Sequence, residues 1–118
     1  MFETLIGLGI VALFCVLAWA ARASVEALLF GGLGLAALGF AYGIPAALVY
    51  HWLLHRSLSR SGRLPARWWI SPTSHHALLP PAERPRVISW AAIGGSGFLV
   101  IVIGIVLTAL GLWRLQAA

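Results

Sequence analysis

Apolar residues fall into three long runs, separated by two polar interruptions of very different length. The first run spans Thr4 to Ala21, the second Ala27 to about Trp52, and the third Val87 to Trp113; none has a charged side chain in its central part. Crossing the hydrocarbon layer of about 30 Å takes about 20 helical residues, so each run has the length of a span. Inside lipid a segment must satisfy its own backbone, and three spans cannot close a barrel, so all three are expected to be helices. The expected fold is an all-α integral membrane protein with three transmembrane helices, one membrane domain over residues 1–118. Helix 1 covers about 4–21, helix 2 about 27–55 and helix 3 about 87–113, the first two forming a helical hairpin.

The first run also has the small-x-small pattern of a signal-peptide cleavage site at Ala18-Trp19-Ala20 and Ala21-Arg22-Ala23. Its start carries Glu3 and no basic side chain, whereas secretory signals begin basic, so it is read as a retained helix. The short interruption, Arg22 to Glu26, implies a tight antiparallel turn, with Ser24 as N-cap and Glu26 in the first turn of the next helix. Pro45 beside Gly43 marks the expected bend in helix 2, which is longer than a bilayer core requires. The long connection, 56–86, holds five of the six prolines. Ser71-Pro72 opens a short helix there, expected at about 72–79, before Pro80-Pro81 stops it.

Composition excludes the soluble alternatives. Of 118 residues 61% are hydrophobic and 9% charged, whereas a soluble domain carries about a quarter charged. The same figures exclude a disordered chain. Charge then sets an orientation. All eight basic residues are arginine, and six of them (Arg56, Arg60, Arg63, Arg67, Arg84 and Arg86) lie in the long connection against Glu83 alone. The positive-inside bias places that loop and the N-terminus in the cytoplasm and the C-terminus outside, in a membrane such as the bacterial inner membrane. Arg60, Arg63, Arg67, Arg84 and Arg86 are the candidate ligands for phosphates of anionic lipid, which planar guanidinium forks suit. A tethered loop of this size offers no platform for nucleic acid.

Small residues mark candidate contact seams. Gly97, Gly104 and Gly111 recur every seven residues, with Thr108 four after Gly104; Gly32, Ala36, Gly39, Gly43 and Ala46 advance by fours and threes. Lipid supplies no hydrophobic push between helices, so close backbone approach along such stripes is how they associate. Either the stripes meet within the chain or one recruits a copy or a foreign subunit.

Chemistry has few candidates. His51 and His55 are four apart on one helical face, and His75 and His76 are adjacent in the loop; converging, the four could hold a transition metal. Over Tyr50–Arg56 and Ser74–Ala77 the pattern is superficially similar to the histidine boxes of membrane di-iron hydroxylases and desaturases. Those enzymes combine more histidines than this chain contains, so their activity is not carried over. Two imidazoles on one face cannot supply both axial ligands of a haem. There is no aspartate, and Glu3, Glu26 and Glu83 are scattered, so acid–base pairs and intramembrane proton relays lack their parts. Cys15 alone makes no intrachain disulfide. Trp19, Trp52, Trp90 and Trp113 fall near span ends as interfacial anchors, and Trp68 and Trp69 suit a loop segment lying at the membrane surface.

The resulting expectation is a non-catalytic accessory, scaffold or assembly subunit of a larger membrane complex or homo-oligomer, working through glycine-lined packing and arginine contacts to anionic lipid. The alternative is a metal- or cofactor-binding membrane protein using the histidines. A channel formed by oligomerisation ranks last, because the spans offer few polar groups beyond Tyr42, Ser96 and Thr108.

Overall fold

The computed structural model describes residues 2–118, and among these the only regular structure is helical. Three α-helices, α1 (Phe2–Arg22), α2 (Val25–Arg60) and α3 (Arg84–Ala117), are joined by a two-residue link and a long loop that contains a 3₁₀ segment, Pro72–Leu78. Both α2 and α3 are long and apolar enough to cross a membrane; the described apolar run of α1, Ile6–Arg22, is shorter.

Local chemistry explains the boundaries, and it corrects two of them. At the start of α2 the Ser24 hydroxyl accepts from the Ala27 backbone N–H at 3.1 Å, which satisfies one orphan donor of the first turn. The far end lies at Arg60 rather than at the expected His55. There Gly62 adopts φ +69°, its N–H bonds the Ser59 carbonyl, and the Arg63 N–H bonds the Leu58 carbonyl at 3.0 Å. This paired arrangement is a Schellman stop, which needs a left-handed residue at its centre. The helix therefore continues past the end of the apolar run to the first residue able to close it. Likewise α3 begins at Arg84, ahead of the expected Val87, with Pro85 in its first turn, where a missing N–H costs nothing. The loop segment is 3₁₀ rather than α: too few residues lie between Ser71 and Pro80 to offset helix nucleation, and Ser71 makes no side-chain cap. Helix α2 runs unbroken through Pro45.

The antiparallel pair α2–α3 is the body of the molecule, and at its waist the contact is backbone on backbone. A Cβ added to Gly104 would lie 2.5 Å from the Ala36 nitrogen and from the Gly32 carbonyl oxygen; one added to Gly39 would lie 2.8 Å from the Gly97 carbonyl oxygen. Gly97 lies against Gly43, and Thr108 against Gly32. The two small-residue stripes thus face each other, which is the arrangement that lets helices associate without large side chains between them. Gly111 closes the seam at the other end against Leu28 and Leu29. Side-chain cores form only beyond the waist. Tyr50, Leu53, Leu54, Leu58, Leu79 and Val87 pack at the loop end, and Ala20, Leu28 and Leu107 at the opposite end.

Helix α1 departs from the expected hairpin. Among its described side chains the contact with the pair lies in its last turns, with Val16 and Ala23 packed around Ala20. Arg114 holds it there, donating to the Ala23 carbonyl at 3.0 Å and to the Ala21 carbonyl at 3.4 Å. A cation on terminal carbonyls also offsets the negative end of the helix dipole. From Ile6 to Cys15 every described side chain of α1 is exposed. The reason is steric: α3 already occupies the small-residue stripe of α2, and Gly7 and Gly9, two apart, lie on different sides of α1.

Candidate functional site

Polar and aromatic side chains gather at the loop end of the α2–α3 pair, in two neighbouring places. The first is built on the face of α2 that carries Tyr50, His51 and His55. Buried Tyr50 places its hydroxyl 2.6 Å from Nε2 of His76, tying the 3₁₀ segment to the helix. His51 donates from Nδ1 to the Ala47 carbonyl at 2.7 Å, one turn back along α2. Trp68 lays its ring 5.0 Å from that of His55 and 6.2 Å from that of His51. The loop therefore folds back over the helix.

These contacts keep the four imidazoles apart in function. Each of His51 and His76 is engaged by its own partner, exposed His55 lies beside Trp68, and His75 joins neither contact. Among the described residues no three His, Cys, Asp or Glu side chains come together to hold a metal ion. The hydrogen bond to Tyr50 instead ties half-buried His76 to α2, while His51 and His55 lie beside Trp68. Burial, and then the charge on neighbouring His75, hold the His76 pKa below the usual imidazole value.

The second place is a cleft of about 150 Å³ between the end of α2 and the start of α3. Leu53, Ser57 and Val87 are its buried residues; Arg56, Arg60 and Arg86 are its exposed ones, and Glu83 completes the lining. The Ser57 hydroxyl donates to the Glu83 carboxylate across the helix pair. Arg56 stacks over the Trp52 ring, 5.1 Å from its centroid, an arrangement that steers the guanidinium without consuming its donors. Three cations thus share one small volume with a single carboxylate that already accepts a hydrogen bond.

The five arginines expected to meet phosphate divide differently in space. Arg60 and Arg86 line the cleft, while Arg63 and Arg67 lie outside it on the exposed loop. Arg84 turns inward, donating to the Leu79 carbonyl at 3.1 Å and the Ala77 carbonyl at 3.4 Å, so it serves the loop's own backbone. Arg56 is the residue that sequence reasoning missed. Its signal was the four-residue spacing to Arg60, which puts both on one helical face, but that spacing is informative only once the helix is known to reach Gly62.

The tryptophans divide as well. Trp19, Trp52, Trp69 and Trp113 are exposed, whereas Trp68 and Trp90 are partly buried and packed against the loop-end core. At the opposite end a groove of about 220 Å³ between Leu33, Ala36, Ile105, Thr108, Ala109 and Leu112 is apolar almost throughout; Thr108 spends its hydroxyl on the Gly104 carbonyl at 2.8 Å. Comparison with known protein families, with curated proteins and with solved structures finds no match to this chain.

Proposed function

We propose that this chain is a three-span membrane protein without catalysis of its own, an accessory or assembly subunit that docks to other membrane helices, or to copies of itself, through α1. The observation that carries the reading is the contrast in exposure. The seam between α2 and α3 is packed down to backbone-on-backbone contact, while the apolar side chains of α1 from Ile6 to Phe14 are exposed. The surface of the pair itself supports the same picture, since Phe30, Leu48, Phe98, Leu99 and Val106 are all exposed. A core helix of a soluble protein would bury such residues; a span presents them to acyl chains. In this reading the arginine-rich loop faces the cytoplasm and the anionic leaflet, in a membrane such as the bacterial inner membrane.

Of the two expectations for the glycine stripes, meeting within the chain or recruiting a partner, the α2–α3 seam fits the first, so the docking helix is the one without a seam-mate. Gly7 and Gly9 have nothing within 4 Å of the position a Cβ would take, so Gly7→Leu with Gly9→Leu leaves the α2–α3 pair undisturbed while thickening α1. The wild-type chain, extracted in mild detergent, is expected to migrate on native gels as a complex that resists carbonate extraction from membranes. The double variant is expected to keep its helicity and membrane retention yet migrate as a lone chain. A wild-type chain that runs alone, or a complex indifferent to both leucines, overturns the proposal.

A further inference from the structure

We infer that the cleft between the end of α2 and the start of α3 is a binding site for one phosphate group, gripped by Arg56, Arg60 and Arg86. This deepens the membrane reading above by giving the loop end a defined ligand in place of a diffuse charge.

Four observations converge on it. Arg56 and Arg60 are four residues apart on α2, and the Schellman stop at Gly62 keeps the helix regular through both, so their side chains leave from one face. Arg86 comes from the first turn of α3, so the three guanidinium groups approach one cleft from two helices. Like charges held together in this way repel, and the repulsion is relieved when an anion enters between them. The one carboxylate available, Glu83, is occupied by the Ser57 hydroxyl and is a single charge against three. Finally the buried lining of the cleft is mainly apolar, Leu53 and Val87 beside Ser57, while its exposed lining is charged. An anion there would be held against a low-dielectric wall, where attraction is stronger than in open water.

Phosphate is the anion class that fits. Arginine forks bind phosphate oxygens in pairs, and a tetrahedral group offers oxygens in enough directions to meet three of them at once. The start of α3 adds its positive dipole end. The lining carries a formal charge of +2, three arginines against Glu83. One phosphomonoester would neutralise it, and the single phosphodiester of a lipid would halve it. Position then separates the arginines by role: Arg63 and Arg67 lie outside the cleft, and Arg84 is committed to loop carbonyls.

The test uses the full chain purified in mild detergent, with native mass spectrometry counting retained phosphatidylglycerol, phosphatidylcholine as the neutral lipid, and inorganic phosphate as competitor. The variants Arg60→Gln/Arg86→Gln and Arg63→Gln/Arg67→Gln remove the same charge, the first inside the cleft and the second outside. The cleft variant is expected to weaken retention about 30-fold, the loss of two basic contacts at an anionic surface, and the outside variant less than about 3-fold. Glu83→Gln, which keeps an acceptor for Ser57, is expected to tighten it. Stoichiometric phosphatidylglycerol that inorganic phosphate does not displace identifies lipid as the source; displacement with the same variant ranking identifies a soluble phosphate. Equal losses in the two double variants, or retention of phosphatidylcholine as strong as that of phosphatidylglycerol, overturn the site. Carbonate extraction reads the membrane proposal separately, because a failed site leaves insertion intact.

Discussion

His76 shows how much one side chain's neighbours decide. In sequence it is one of four imidazoles and a metal candidate; in the fold it accepts from, or donates to, the Tyr50 hydroxyl according to its tautomer. Burial and the neighbouring His75 disfavour its charged form. The unfolded chain, with an ordinary imidazole, therefore binds the proton first as pH falls, and stability drops with it. The contribution is complete above the unfolded imidazole value and is lost as pH falls through the lower folded one. Loop-end hydrogen-exchange protection factors are expected to fall on acidification across that window in the wild type, and His76→Gln is expected to flatten the response. Gly62 makes the complementary point. A glycine there is a stop signal legible in the sequence, its positive φ is what the fold makes of it, and reading it would have extended α2 to Arg60 and placed Arg56 beside Arg60 on a helical face.

At the scale of elements, the glycines of α3 have opposite roles at close range. Gly104 lies on the seam, where an added Cβ would meet backbone atoms of α2 that cannot step aside. Gly95 has nothing within 4 Å of that position. Gly104→Ala is expected to force the helices apart and destabilise the pair by about 1–3 kcal/mol, the usual cost of overpacking. Gly95→Ala is expected to stabilise by up to about 1 kcal/mol through helix propensity alone. Thermal unfolding in detergent, followed by circular dichroism, checks both signs; similar losses at the two positions would refute the seam. The stripes of small residues were legible in the sequence, but their partner was not, because a stripe states only that something comes close. Helix α1 reverses the lesson. The short link after Arg22 promised a packed hairpin, and the seam of α2 was already filled by α3.

Across the whole molecule the charge distribution is lopsided: six arginines and Glu83 occupy the loop end, and the remaining four charged residues cancel. In the membrane reading this asymmetry fixes orientation, because basic residues in a loop of this length resist translocation. Alkaline phosphatase fused after Ala118 is expected to be active in a bacterial host, and the same enzyme inserted after Gly62 inactive. Replacing Arg56, Arg60, Arg63 and Arg67 together with Gln is expected to erode the difference. On the proposed reading the apolar exterior and the charged loop end become one design, which would offer the cleft to headgroup phosphates.

What this sequence determined unaided is local: where apolar runs begin and end, that they are helical, that Ser24 caps α2, and that cationic charge collects in one loop. Hydrophobic transfer, capping and helix periodicity act within a few residues of one another, so they can be read along the chain. Only the tertiary structure decided that the two glycine stripes face each other, that α1 stands apart, that Arg84 turns in to its own loop, and that Arg56, Arg60 and Arg86 share a cleft. Those outcomes join residues up to about 90 positions apart, as Arg114 and Ala23 are, and depend on which of several compatible surfaces meet first and exclude the rest.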